Sequence, residues 1–337
     1  MKIGLTYDLR SDYLAAGYDE LETAEFDRED TIDALETAIK GLGYTTDRIG
    51  NARRLIERLA LGNRWDLVFN IAEGLNGIGR EAQVPAILDV YNIPYTFSDP
   101  LVMSLTLHKG LTKRVIRDAK IPTSDFWVVE NEGDERLTTF PPPYFIKPVA
   151  EGTGKGVSPH SILHHHRDLA SACAAMRHTY NQPVLVERYL SGREFTVGII
   201  GTGTDSEVLG TIEVILLDGA EAGVYSYVNK ERCEELVEYR SVRSLEEPLI
   251  HKTEDIALNA WQVLGCRDAG RVDIRCDEAG QPNFLEINPL AGLHPDHSDL
   301  PIICKEIPLS YEVLIERILA SALKRIDRHK PPKRKEA

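Results

Sequence analysis

The chain has 337 residues, which is enough for two or three compact lobes because globular domains commonly contain ~100 to 200 residues each. Its 42% hydrophobic and 27% charged residues are typical of a globular protein, and its formal charge of -14 excludes a broad nucleic-acid-binding surface. Because no segment approaches the ~20 apolar residues of a membrane span, we predict a cytoplasmic protein with neither a nucleic-acid nor a membrane partner.

The N-terminal part of the chain alternates predicted strands and helices. Residues 3–7 form the first predicted strand, and after a long polar loop the apolar residues between Ile32 and Leu42 recur at helical spacing, with Gly43 ending the helix. The next predicted elements are a buried strand at residues 66–72, a helix at 81–91 and a short strand at 93–96. This alternation predicts a small α/β domain with a parallel sheet over residues 1–105.

Two further domains are predicted after residue 105. The central one, residues 106–185, contains a helix after Lys109 and strands at residues 126–130 and 144–148. Residues 184–188 and 194–200 alternate in polarity like antiparallel strands, and a larger sheet is expected to begin there in the third domain, residues 186–325. Its remaining predicted elements are a helix at residues 253–264, a β-hairpin of 271–276 and 283–288, and a helix at 309–326. The expected fold class is therefore α/β or α+β, with a basic disordered tail at residues 326–337.

Four polar residues share one face of the predicted hairpin. Side chains alternate across a strand, so Arg271 and Asp273 lie on one face of the first strand, and Glu286 and Asn288 on one face of the second. If the turn centres between residues 279 and 280, residue 273 lies opposite 286 and residue 271 opposite 288. Two neighbouring carboxylates repel unless they share a cation, and with an amide they suit Mg²⁺ and the phosphates of a nucleotide. The alternative is an exposed hairpin with cross-strand pairs of arginine and acid.

A glycine-rich loop follows the predicted strand at residues 144–148. Its sequence, KPVAEGTGKGV at residues 147–157, allows backbone N–H groups to approach phosphates, although an ordinary hairpin turn has the same composition. Lys147 stands among apolar neighbours, where a lysine is costly to bury without an anionic partner. Lys109 and Lys230 are further candidates, and each could instead be a solvated surface lysine.

Five segments together carry a resemblance to a known family. They are Lys109, KPVAEGTGKGV at 147–157, VLVERYLSGREFTV at 184–197, GRVDIR at 270–275 and FLEINP at 284–289. In this order and spacing they resemble the ATP-grasp superfamily and, within it, the D-alanine–D-alanine ligase family, over roughly Met1 to Arg325. The resemblance implies three lobes with ATP held between two sheets. It also implies a homodimer that joins a small-molecule carboxylate and an amine, both expected to be amino acids, through an acyl phosphate.

The resemblance further implies roles for individual residues. The implied ATP contacts are Lys109, Lys147, Thr153, Gly154, Gly156, Glu187, Leu190 and Glu194. Asp273, Glu286 and Asn288 are implied to bind two Mg²⁺ ions, which Mn²⁺ could replace, and Arg271 and Lys230 are implied to act in catalysis. The candidate substrate contacts are Glu25, Glu73 and Ser298.

The chain departs from the family pattern around the substrates. Glu73 stands where the family has a histidine, with Arg80 as a candidate to compensate its charge, and Glu231 replaces a tyrosine after Lys230. Residues 289–301 also differ, and their cluster of His294, Asp296, His297 and Asp299 is interpreted as lining the amine site, with a metal site as the alternative. The sequence therefore leaves open a ligase for other amino acids or a specialised metabolite, and a nucleotide-binding regulator without turnover.

Overall fold

The three β-sheets of the protein follow one another along the chain. The structure is a computed structural model that describes residues 1–243 and 247–329. Within these residues the first sheet has three strands, the second four and the third five. None of the described helices is long and apolar enough to cross a membrane.

The first sheet is parallel, as predicted. The elements around it are β1 (Lys2–Thr6), α1 (Arg10–Ala15), α2 (Glu29–Gly41), β2 (Thr45–Gly50), α3 (Ala52–Ala60), β3 (Leu67–Asn70), α4 (Gln83–Val90) and α5 (Pro100–Leu107). Strand β1 pairs in parallel with both β2 and β3. The apolar stripe of α2 packs on one face of the sheet together with Ile3 and Leu5, while Leu55 of α3 and Leu88 of α4 cover the other face. Burial on both faces explains why β1 and β3 are apolar.

The predicted strand at residues 93–96 is wrong. Only Tyr95 pairs there, in an isolated parallel bridge with Val68 of β3. Elements α1, β2, α3 and α5 were not predicted, because β2 is largely polar and α3 carries only two buried apolar residues, Leu55 and Leu59.

The second sheet is antiparallel and lies in the middle of the chain. Its elements are α6 (Lys109–Asp118), β4 (Phe126–Val129), β5 (Tyr144–Pro148), β6 (Ile162–Leu163), α7 (Leu169–Tyr180) and β7 (Val184–Arg188). Strand β7 lies between β4 and β5 in this sheet. The prediction that residues 184–188 open the larger sheet with residues 194–200 is therefore wrong, and β7 crosses the predicted boundary at 185/186.

The third sheet is also antiparallel and has five strands. Its elements are β8 (Glu194–Ile200), β9 (Glu207–Leu216), α8 (Tyr227–Glu231), α9 (Cys233–Leu236), β10 (Val237–Val242), α10 (Pro248–Leu264), β11 (Ala269–Cys276), β12 (Pro282–Asn288), α11 (Asp299–Glu306) and α12 (Tyr311–His329). Helix α10 begins at Pro248, earlier than the predicted start at Thr253, and its Ala257, Ala260 and Trp261 pack on the sheet. Helix α12 extends to His329, and residues 330–337 of the predicted tail lie outside the described residues.

Candidate active site

A cavity of about 70 Å³ separates the second sheet from the third, and we call it the inter-sheet cavity. Its walls come from β5 and β7 on one side and from β8, β11 and β12 on the other. Of the predicted site residues it brings together Lys109, Lys147, Gly154, Glu187, Leu190, Glu194, Lys230, Asp273 and Glu286. Gly156 does not line it. This glycine lies in a tight turn with a φ of +79°, and a Cβ atom there would lie 2.6 Å from the side chain of Pro148.

A second cavity of about 200 Å³ adjoins the first, and we call it the acidic cavity because seven carboxylate side chains line it. The carboxylates are Glu25, Asp27, Glu73, Glu81, Glu151, Glu231 and Glu286. The predicted residues Thr153, Arg271, Asn288 and Ser298 also line this cavity. Lys109, Glu151 and Glu286 belong to both walls, so the two cavities meet at these side chains.

The hairpin of β11 and β12 has the predicted register. Asp273 lies opposite Glu286 and Arg271 lies opposite Asn288, and the register shifts only after Asp273. Arg271 forms an ion pair with Asp273 and a second one, 3.2 Å long, with Asp299. The hydroxyl of Thr196 donates to Asp273 at 3.0 Å. The four polar side chains therefore face one place, as their alternation indicated.

The hairpin carries a donor set that fits Mg²⁺. Burial raises the pKa of Asp273, Arg271 lowers it, and the nearby Glu286 carboxylate raises it again. The side-chain amide nitrogen of Asn288 is buried without a hydrogen-bond partner in the described structure. The carboxylates of Asp273 and Glu286 and the side-chain amide oxygen of Asn288 are oxygen donors of the kind that Mg²⁺ takes alongside phosphate oxygens. The residues present thus fit the predicted metal.

Lysine and glutamate alternate along the wall of the inter-sheet cavity. Lys113 contacts Glu187 at 2.5 Å, and Lys147 lies 3.0 Å from Glu187 and 3.5 Å from Glu286. Burial raises the pKa of Glu187, but Lys113 and Lys147 outweigh burial and lower the pKa to about 2. Burial lowers the pKa of Lys147, and the two carboxylates more than offset it. Glu187 and Lys147 are therefore held in their charged forms, with Lys147 positioned by acids on both sides, whereas burial lowers the pKa of Lys113.

Glu194 and Lys230 occupy the other end of the inter-sheet cavity. Glu194 pairs with Arg275 at 3.1 Å. Burial nevertheless raises the pKa of Glu194, and only part of this effect is offset by Arg275. Lys230 lies in α8 with its ammonium 4.6 Å from the ring centroid of Tyr225, and no carboxylate forms an ion pair with it in the described structure.

The predicted substrate residue Glu25 is already engaged with the protein. Its carboxylate pairs with Arg80 and accepts the backbone N–H of Gly152 at 2.7 Å. Arg80 also donates to the carbonyl of Ala150 at 2.7 Å. Arg80 thus pairs with Glu25 rather than compensating Glu73, because the loop before α2 brings Glu25 within contact of it.

The loop at residues 289–301 is positioned by several separate contacts. His294 faces Asp30 at 3.3 Å and His297 faces Glu234 at 3.0 Å, while Asp299 faces Arg271. These partners do not support the alternative of one metal bound by the histidines and aspartates. The hydroxyl of Ser298 accepts the backbone N–H of His294 at 2.9 Å, which fixes this hydroxyl at the cavity wall.

Sequence reasoning missed several charged residues of the site. Lys113 is fully buried and follows Lys109 by one helical turn in α6. This spacing places both lysines on the same face of the helix, and it could have identified Lys113 from the sequence. Arg275 continues the alternation of Arg271 and Asp273 along β11. Glu81 carried no signal, because it looked like a surface acid at the start of a helix.

Comparison with known proteins gives one family. The family model described as D-ala D-ala ligase C-terminus matches residues 115–320. An uncharacterized protein of Sinorhizobium fredii is 34% identical over 300 residues, covering 87% of each chain. A D-alanine–D-alanine ligase of Bordetella avium is 32% identical over 248 residues, covering 72% of this chain and 74% of the relative.

Solved structures show the same fold. A D-alanine–D-alanine ligase from Bacillus anthracis, in complex with ATP, superposes with a TM-score of 0.72 at 19% identity and covers 98% of this chain and 100% of that one. The VanG D-Ala:D-Ser ligase from Enterococcus faecalis has a TM-score of 0.71 at 19% identity, with 95% and 99% coverage. At these identities the likeness concerns the arrangement of the elements.

Proposed function

The chain belongs to the D-alanine–D-alanine ligase family and is an ATP-grasp ligase, and from this premise we propose that it joins the carboxylate of one amino acid to the amine of another at the expense of ATP. The observation that carries the proposal is the wall shared by the two cavities. Lys109, Glu151 and Glu286 face both of them, so a nucleotide in one and an amino acid in the other would meet at these residues.

We place ATP in the inter-sheet cavity. Glu187 and Leu190 would contact adenine and Glu194 the ribose, while Lys109, Lys147 and the loop that carries Thr153 and Gly154 would surround the phosphates. Gly156 would shape this loop through its tight turn. The Glu187 carboxylate has a second role, because it already holds Lys113 and Lys147. The nucleotide would therefore enter a site whose lysines are fixed in advance.

We propose that Asp273, Glu286 and Asn288 hold two Mg²⁺ ions, as the paired register of β11 and β12 supports. When bound, Mg²⁺ supplies Lewis-acid neutralisation of phosphate charge. Asp299 and Asp273 keep the Arg271 guanidinium beside these ligands, where it can face charge that develops during transfer.

The proposed reaction has two steps. A carboxylate oxygen of the first amino acid attacks the γ-phosphorus of ATP, the bond to the bridging oxygen breaks, and an acyl phosphate and ADP form. The amine of the second amino acid then attacks the acyl carbon, loses a proton, and displaces phosphate to leave the amide. Lys109 and Arg271 neutralise oxygen charge, and Lys230 reaches the phosphates from α8; the chain needs no nucleophile of its own.

We place the second amino acid beside Ser298. The hydroxyl of Ser298 would donate a hydrogen bond to the carboxylate of this amino acid, and Arg271 would contact the same carboxylate. Glu25 would face the α-ammonium group of the first amino acid, and Glu73 would line the same substrate site. A homodimer, a cytoplasmic location and the domain limits at residues 105, 185 and 325 stay predictions.

Release of ADP and phosphate with Mg²⁺ tests the proposal. The purified chain would be incubated with pairs of D- and L-amino acids, and the products would be identified by mass. We expect release that requires an amino acid and yields a dipeptide. ATP turnover that no amino acid stimulates would contradict the proposal.

A further inference from the structure

Three carboxylates from the N-terminal part of the chain line the acidic cavity and have no partner among the described residues; a fourth lining acid, Glu231 of α8, also makes no ion pair there but is exposed. Asp27 lies before α2, Glu73 follows β3, and Glu81 lies in the turn before α4. In the described part of the chain, none of these carboxylates makes a hydrogen bond or an ion pair. Glu81 is only 9% exposed, so its side chain is buried against protein and open to the cavity. A buried acid without a partner is unfavourable, and a cation in the cavity would relieve it.

The ionisation behaviour of these groups agrees with their positions. Burial, followed by repulsion from Asp8, raises the pKa of Asp27 to about 8. Burial also raises the pKa of Glu81 to about 7, although Arg80 partly opposes it, and burial with Glu81 and Glu25 nearby raises the pKa of Glu73. Each group therefore lacks a cation that would keep it ionised.

The cations of the cavity are mostly engaged elsewhere. Arg80 pairs with Glu25, and Arg271 pairs with Asp273 and Asp299. Lys109 donates to the carbonyl of Glu151. Arg10 and Arg28 also line the cavity, Arg10 donating to the carbonyl of Glu20 at 3.4 Å and Arg28 being exposed. Neither forms an ion pair with Asp27, Glu73 or Glu81.

We propose that the amino acid whose carboxylate is activated carries a second cationic group, an ammonium or guanidinium on its side chain, and that Glu73, Glu81 and Asp27 bind it. This inference rests on the proposed ligase function. An α-ammonium group needs one carboxylate, and Glu25, which also pairs with Arg80, lines the cavity for that purpose, so three more acids exceed what a neutral amino acid would use. All three acids come from the N-terminal part of the chain, whereas Ser298 and the 289–301 loop provide the amine site.

Matched substrates test the charge requirement directly. Ornithine, lysine and arginine would be compared with their uncharged counterparts norvaline, norleucine and citrulline, as both enantiomers, with D-alanine as the amine. We expect kcat/KM for ADP release to be at least about tenfold higher for the charged member of the preferred pair. Glu73→Gln and Glu81→Gln should each reduce this ratio about tenfold, while Glu57→Gln, an exposed acid of α3, should not change it.

Two readouts separate this inference from the ligase function. If ADP release occurs but the uncharged amino acids serve equally well, or if both cavity variants keep the wild-type ratio, the inference is overturned and the ligase function stands. If no amino acid causes ADP release, the ligase function fails. Calorimetry with Mg²⁺ and a non-hydrolysable ATP analogue then measures amino-acid binding to the cavity without turnover. Tighter binding of lysine than of norleucine supports the inference, and equal binding overturns it.

Discussion

At the scale of single residues, the site is a row of alternating charges. Lys113, Glu187, Lys147 and Glu286 follow one another at 2.5, 3.0 and 3.5 Å, and Lys109 lies 4.0 Å beyond. Opposite unit charges 4 Å apart interact by about 4 kcal/mol at an effective dielectric constant of ~20, so Glu187, Lys147 and Glu286 keep one another charged. Burial raises the pKa of Glu286, but the lysines outweigh burial and lower it. Glu286 is thus an anion before any metal arrives.

Removal of the Glu286 charge should abolish turnover while the fold is retained. In Glu286→Gln an amide replaces one of the two paired carboxylates, so we expect kcat to fall at least about 100-fold, because metal affinity depends on ligand charge. Steady-state ADP release measures the loss, and circular dichroism checks the fold. Glu278→Gln, in the exposed turn of the same hairpin, is the control and should keep full activity. A well-folded Glu286→Gln variant with normal turnover would refute the metal assignment.

The buried acid Glu81 should make stability fall as the pH rises. Its folded pKa of about 7 exceeds the ordinary 4.5, so its stabilising contribution is complete below about pH 4.5 and is lost as the pH rises through 7. The full loss is roughly 3 kcal/mol, since each pKa unit is worth 1.36 kcal/mol. Urea unfolding at several pH values measures it. We expect Glu81→Gln to flatten the decline between about pH 5 and 7, and parallel profiles for the two proteins would disprove the assignment.

At the scale of elements, the hairpin of β11 and β12 was predictable and the course of the chain from β7 to β8 was not. Alternation and a turn suffice to set a register between adjacent strands, and Asp273 indeed faces Glu286. Between β7 and β8 the chain passes from the second sheet to the third. The backbone N–H of Tyr189 donates to the carbonyl of Pro143 in the central part, and the backbone N–H of Gly192 donates to the carbonyl of Cys276 in β11. Alternation contains no information about such a change, because both strands are antiparallel and mostly buried.

The acidic cavity shows the same limit at the element level. Glu25 and Arg80 lie on two loops of the N-terminal part, far apart in sequence, and their pairing leaves Glu73 without a cation. The sequence predicted Glu25 and Glu73 as substrate contacts and Arg80 as a candidate to compensate the charge of Glu73. Whether Arg80 pairs with Glu25 or with Glu73 depends on how the two loops pack, and the local sequence pattern does not determine this packing.

The glycine-rich loop and helix α8 should act as one unit. Gly154 has a φ of +71°, and a Cβ atom there would lie 2.8 Å from the backbone nitrogen of Tyr227 in α8, which also carries Lys230. Gly154→Ala would therefore push the loop away from α8 and strain its backbone. We expect the KM for ATP to rise about tenfold, equivalent to ~1.4 kcal/mol of lost binding.

Gly133→Ala is the matched control for the loop variant. Gly133 has a φ of +96°, and no neighbouring atom lies within 4 Å of the position that a Cβ atom would occupy. The Gly133→Ala variant therefore introduces backbone strain without a steric clash. We expect a loss of about 1 kcal/mol of stability and an unchanged KM for ATP. If Gly154→Ala also leaves the KM unchanged, the loop and α8 do not cooperate in binding the nucleotide.

At the scale of the whole molecule, one buried aspartate joins distant parts of the chain. Asp268 is fully buried and accepts the backbone N–H of Phe97 at 2.8 Å. It also accepts from Ser321 at 2.9 Å and from Arg325 at 2.8 Å, both in α12. Arg325 in turn donates to the carbonyl of Tyr95 at 2.9 Å. The last helix, the end of the N-terminal part and the start of β11 are therefore held by one network of charge and hydrogen bonds.

Loss of the Asp268 charge should weaken the whole molecule rather than the catalytic chemistry. Asp268→Asn turns one acceptor into a donor that faces N–H and O–H groups, and it leaves the guanidinium of Arg325 without its carboxylate. Breaking a buried pair in this way costs about 3 to 5 kcal/mol. Urea unfolding followed by the fluorescence of the buried Trp261 measures the change, and Glu207→Gln, which breaks an exposed pair with Arg317, should cost under about 1 kcal/mol. Equal stability losses in the two variants would show that the Asp268 network does not hold these parts together.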